Sequence, residues 1–129
     1  MKNSNDGAAP TITDVEREKR LLSTAGLAAR ARKAVMGTDQ VCEAIRQGQV
    51  CFVLEASDAS ENTKKRLFDK TAYYGVPLCR LRADCEALAQ AFGKRNGSIA
   101  AVGITDLGIV RAMKKYLPKE SNDSGGEAI

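Results

Sequence analysis

Apolar positions along the chain switch repeatedly between two spacings. In the stretch after residue 13 they recur every three or four positions, with Val15, Leu22, Ala25 and Ala29 on one helical face, and Thr13 with Glu16 has the spacing of a capping box. A first helix is expected there. Lys33-Ala34-Val35-Met36 predicts a short extended piece. Thr38 then reads as the cap of a second helix that turns Val41, Ala44 and Ile45 inward and closes at Gly48. Val50-Cys51-Phe52-Val53-Leu54 is apolar without alternation. A strand of that kind is covered on both faces, so it belongs in the middle of a sheet with helices on each side. A third helix over about 60–74 packs Leu67, Phe68 and Thr71 and stops at Gly75-Val76-Pro77, and a strand over 78–81 follows. Asp84 caps a fourth helix with Leu88, Ala91 and Phe92 inward, ended by Gly93. A strand over 99–104 leads to a last helix, capped by Thr105 or Asp106, that buries Val110, Met113 and Leu117 before Pro118 stops it.

Five helices thus alternate with four strands. That alternation predicts an α/β fold, a three-layer α/β/α sandwich around a small four-stranded mixed sheet, occupying residues 13–118 as one domain. Residues 1–12 are polar, contain Gly7 and Pro10, and read as a flexible lead or a linker from an upstream domain. Residues 119–129 read as a flexible tail.

Charge narrows the function. The chain of 129 residues carries a net +4; its first thirteen residues are neutral and its last eleven carry −2, which leaves +6 on the middle. Such an excess suits RNA, DNA or an acidic surface. There is no histidine to move protons near neutral pH, no phosphate-binding P-loop and no G-x-S-x-G nucleophile turn. Cys42, Cys51, Cys79 and Cys85 form no C-x-x-C pair and read as reduced, mostly buried thiols. No metal, cofactor or small-molecule substrate is expected. Asp58 reads as a turn residue rather than part of an acidic magnesium pocket. With no apolar run of membrane length and no signal-peptide core at the start, a cytoplasmic protein without membrane contact is expected.

Two segments could hold a polyanion. Gly37-Thr38-Asp39-Gln40 combines close backbone approach, side-chain donors and acceptors and a helix start, with Arg32 and Lys33 just upstream. The loop Lys94-Arg95-Asn96-Gly97-Ser98, after Gly93, puts two cations and an amide at the mouth of a strand. Each also fits a plainer description, a capped helix and a solvated turn. Lys64-Lys65-Arg66 adds a basic opening to the third helix.

Six segments in order carry a family resemblance: Leu27-Ala28-Ala29-Arg30-Ala31-Arg32-Lys33, Gly37-Thr38-Asp39-Gln40, Asp58-Ala59-Ser60-Glu61-Asn62-Thr63-Lys64-Lys65, Tyr73-Tyr74-Gly75-Val76-Pro77, Phe92-Gly93-Lys94 and Val102-Gly103-Ile104-Thr105-Asp106. On these, residues 21–117 resemble the kink-turn RNA-binding ribosomal proteins (ribosomal L-seven-Ae and L-thirty-e), most closely their bacterial YlxQ-like branch. The resemblance implies the same sandwich and non-catalytic binding of structured RNA, ribosomal or kink-turn-like, with the ribosome a potential partner. It also implies where RNA sits. The second helix enters a groove beside sheared G·A pairs, and the loop at 94–98 lies over neighbouring nucleotides. Gly37 and Thr38 match the family pattern. Asp39 replaces an asparagine and loses an amide donor, Gln40 replaces a glutamate, and Glu43 reverses a lysine's charge. A good bidentate base contact discriminates by about 1–3 kcal/mol, so these departures are expected to weaken kink-turn preference. Two other functions share the sandwich: a protein-interaction module docking through Asp39, Glu43 and Glu55, and the substrate-holding portion of an RNA-modifying enzyme.

Overall fold

The computed structural model describes residues 14–117; the N-terminal lead, Thr13, Pro118 and the C-terminal tail lie outside them. Helix α1 (Val15–Arg30) is followed by β1 (Ala34–Met36), α2 (Thr38–Arg46), β2 (Phe52–Glu55) and α3 (Glu61–Tyr74). Then come β3 (Leu78–Arg80), α4 (Cys85–Ala91), β4 (Ala101–Ile104) and α5 (Leu107–Met113), which runs on into a 3-10 turn, Lys114–Tyr116. The sheet order is β1-β4-β2-β3, with β2 parallel to β3 and β4 antiparallel to both its neighbours. The sheet is therefore mixed.

Strand β2 lies in the interior of the sheet, as its unbroken apolar sequence requires. Its side chains alternate between two cores. Phe52 and Leu54, with Val102 and Ile104 of β4, pack against α1, α4 and α5; Val53 and Ala101 pack against α2 and α3. Helices cover both faces, which makes three layers. Each fully buried leucine or isoleucine, such as Leu54 or Ile104, contributes about 1.5–3 kcal/mol through removal from water. Among the described residues no helix is long and apolar enough to cross a membrane.

Two details of α1 differ from the periodic reading. The cap is Asp14, whose Oδ1 accepts the N–H groups of Glu16 (3.0 Å) and Arg17 (3.2 Å). The buried stripe is Glu18, Leu21, Ala25 and Ala28, while Val15 is half exposed and Leu22 and Ala29 are only partly covered. A glutamate can face inward because its Oε2 accepts the N–H groups of Arg82 (2.7 Å) and Ala83 (3.1 Å). Those donors arrive more than sixty residues later, and a search for apolar periodicity passes over a charged residue.

Of the four cysteines, all free, Cys42 and Cys79 are buried and Cys51 and Cys85 partly so. Asp58 does act in a turn: its Oδ1 accepts the N–H of Cys85 at 2.8 Å, tying the loop after β2 to the start of α4. Bonds from Cys85 hold the Asp58 carboxyl below the usual aspartate range. The Cys85 thiol is pushed up to about 11, by burial first and then by Asp58. It carries essentially no thiolate at neutral pH, which makes it a poor nucleophile.

Candidate nucleic-acid interface

The strand directions gather several connections onto one rim of the sheet. Because β1 and β4 are antiparallel, the end of β1 meets the start of β4, and the Gly37 N–H donates to the Ala101 carbonyl at 3.0 Å. Strand β2 ends on the same rim, where the Ala56 N–H donates to Ala100 O at 2.9 Å. The Ser57 N–H reaches Ala83 O (2.8 Å) and the Ile99 N–H reaches Cys85 O (3.0 Å). The starts of α2, α3 and α4 and the end of the 94–98 loop therefore face one way.

Only one of these helix starts is open. Asp14, Ser60, Asp84 and Asp106 each cap their helix through a side chain, whereas α2 begins on Gly37, which has no side chain to offer. Thr38 is thus the first helical residue and not the cap. The boundary is set by Gly37, at φ 103° and with its N–H already bonded to β4. The first N–H groups of α2 point out of the rim with the positive end of the helix dipole behind them.

Asp39, Gln40 and Glu43 line an open groove of about 350 Å³ with Val35, Ala44, Gln47 and Gln49. The two acidic residues are not bare charges. The Asp39 Oδ1 accepts from Arg66 Nη1 of α3 at 3.0 Å. Glu43 accepts from Arg46 Nη2 (2.6 Å), Arg46 Nε (3.2 Å) and Gln47 Nε2 (2.8 Å). Those bonds, Arg46 first, hold the Glu43 carboxyl below the usual glutamate range. Arg66 stood in the sequence as one of three cations opening α3. Its pairing with α2 emerges only when the two helices pack.

In the 94–98 loop, Lys94, Arg95, Asn96 and Ser98 are exposed and Gly97 is half-buried. Asn96 sits at φ 49°, a left-handed conformation asparagine tolerates. The loop leaves α4 at Gly93, which lines a groove with Arg30 and Gly26 of α1, and returns to the rim at Ile99. Its trailing end, not Gly93 itself, is joined to the rim that holds Gly37.

Arg32 and Lys33 lie elsewhere. Ala34 pairs with Ile104 and the Lys33 carbonyl accepts from the Thr105 N–H at 2.9 Å, so both cations enter at the opposite end of β1. Four residue-to-residue steps of extended chain, across the three residues of β1, separate Lys33 from Gly37 by roughly 13 Å. Arg32 is held at φ 60° because α1 closes with a Schellman motif: the Lys33 N–H bonds Ala28 O (2.6 Å) and the Arg32 N–H bonds Ala29 O (3.2 Å). A side chain in that conformation costs about 1–2 kcal/mol. Replacing Arg32 with glycine is therefore expected to raise the unfolding free energy by about 1 kcal/mol in urea titrations.

The chain belongs to the Ribosomal protein L7Ae/L30e/S12e/Gadd45 family, whose model matches residues 19–113. It is 35% identical over 99 residues to the RNA-binding protein YlxQ of Enterococcus faecium, covering 77% of this chain and 92% of that one. It is 40% identical over 92 residues to the RNA-binding protein YlxQ of Bacillus subtilis (strain 168), covering 71% and 89%. Among solved structures it resembles a protein of unknown function from Bacillus halodurans C, with a TM-score of 0.68, 37% identity and coverage of 75% of this chain and 95% of that one. The Giardia lamblia 15.5kD RNA binding protein shares the fold, with a TM-score of 0.67 at 17% identity, over 88% of this chain and 100% of that one.

Proposed function

We propose that this domain is a cytoplasmic, non-catalytic RNA-binding module that holds a folded RNA, ribosomal or kink-turn-like, across the rim between the start of α2 and the 94–98 loop. The observation that carries this reading is the start of α2, which has no side-chain cap, unlike the other four α-helices among the described residues, and lies beside Gln40 and the Asp39–Arg66 pair. Phosphate is the natural occupant of such a helix start. Lys94 and Arg95 supply cations that touch backbone, and Thr38 and Gln40 supply groups for base edges. The relatives named as RNA-binding proteins, alike over most of their length, support the same reading. Four free cysteines suit a reducing compartment.

Binding is expected to depend on salt. With three to five phosphate contacts, the slope of log affinity against log salt is roughly −2 to −5. Titrating labelled hairpins that carry tandem G·A pairs, at several salt concentrations, measures it. Changing Lys94 and Arg95 together to glutamate flattens the slope by about two. Affinity no better for folded RNA than for an acidic polymer, or a slope unmoved by that double change, refutes the reading.

A further inference from the structure

We infer that Arg66, on α3, is a specificity-determining residue of this interface: buttressed by Asp39, its guanidinium takes a guanine through the adjacent O6 and N7 acceptors. The inference rests on the RNA-binding reading above and adds a residue on a different helix from the open α2 start.

Asp39 is the starting point. A carboxylate accepts hydrogen bonds and donates none, and this one is 83% exposed, two residues into an open helix start. Alone it would repel the phosphates that the helix start attracts. Instead it is joined by Arg66, 27 positions away, across the packed α2–α3 pair. Such an exposed ion pair adds little to stability, so folding alone gives no strong reason for it.

Its geometry suits recognition. A guanidinium has five N–H donors in a rigid plane, and Asp39 engages Nη1. With 43% of the side chain exposed, Arg66 also faces solvent. A fork fixed on one side by a carboxylate is pre-oriented on the other, and the base edge with two adjacent acceptors is that of guanine. The pair thus turns an acceptor-only position into a donor position. Lysine carries the same charge but cannot present a planar fork, which separates base reading from charge compensation.

The test uses the full chain and a folded hairpin with tandem G·A pairs, synthesised with guanine or with 7-deazaguanine, which lacks the N7 acceptor. For the native protein, 7-deazaguanine is expected to weaken binding about tenfold. Arg66→Lys is expected to weaken binding to the guanine hairpin by a similar factor and then to be indifferent to 7-deazaguanine. Asp39→Ala, which removes the carboxylate that holds Arg66 and adds no donor of its own, shrinks the 7-deazaguanine effect and carries the test if Arg66→Lys melts early. Arg66→Lys binding like the native protein overturns the inference. So does an equal loss on both hairpins, which marks a phosphate contact. In either case the RNA-binding reading survives, whereas a native protein that binds neither hairpin removes both.

Discussion

Replacing Arg80 with methionine is expected to destabilise the domain by about 3 kcal/mol near pH 8 and by clearly less near pH 5.5. Glu55 is the last residue of β2 and is completely buried. Its register partner on β3 is Arg80, whose Nε donates to Glu55 Oε2 at 3.1 Å, while Oε1 has no hydrogen-bond partner. Burial pushes the Glu55 carboxyl above its usual value of 4.5, and the charge and hydrogen bond of Arg80 pull it partly back. Without Arg80 it rises further.

The sign of the pH effect follows. An acid whose folded pKa lies above its unfolded one holds more protons when folded, so stability falls as pH rises through the folded value and recovers on acidification toward 4.5. The native protein shows this trend weakly and the Arg80→Met variant strongly. Urea midpoints at pH 5.5 and 8 measure both. Adding Glu55→Gln to the variant removes the buried charge, so most of the loss at pH 8 returns. A loss that does not change with pH places its cause in packing instead of in Glu55.

Element order, the interior place of β2 and the cap Asp84 were legible because each is a local pattern, whereas the sequence left Thr105 and Asp106 equal as the cap of α5 and the structure chooses Asp106. Apolar spacing gives the period, and an aspartate just before an apolar run gives the cap. What stayed hidden depends on the third dimension. Glu18 faces inward for two N–H groups that α1 cannot know about until β3 is in place. Arg32 and Lys33 look adjacent to Gly37 in sequence, yet a three-residue strand carries them to the other end of the sheet. Thr38 is a good cap by residue type, but the bond from Gly37 to Ala101 moves the helix boundary by one residue and leaves the start open. Asp39 and Glu43 read as liabilities for RNA until α3 brings Arg66, and α2 itself brings Arg46, to meet them.

The open start of α2 makes Gly37 the position where one methyl group should do most harm to binding. Gly37→Ala is expected to lower RNA affinity about 100-fold, as two lost base-edge contacts would. The backbone there, at φ 103° and ψ 143°, lies where side chains are strained, at about 1–3 kcal/mol for such a conformation. An alanine Cβ would also stand 2.6 Å from the Gln40 Oε1. That amide is the far end of a flexible side chain, so it swings away, and the start of α2 shifts with the strained backbone. Gly48, just beyond the other end of α2, provides the control. It too has a positive φ, 75°, but an added Cβ meets nothing within 4 Å. Gly48→Ala is expected to cost about 1 kcal/mol of stability and leave affinity within twofold. If both variants melt early but bind alike, the start of α2 does not touch RNA, because strain alone would then account for everything that Gly37→Ala does.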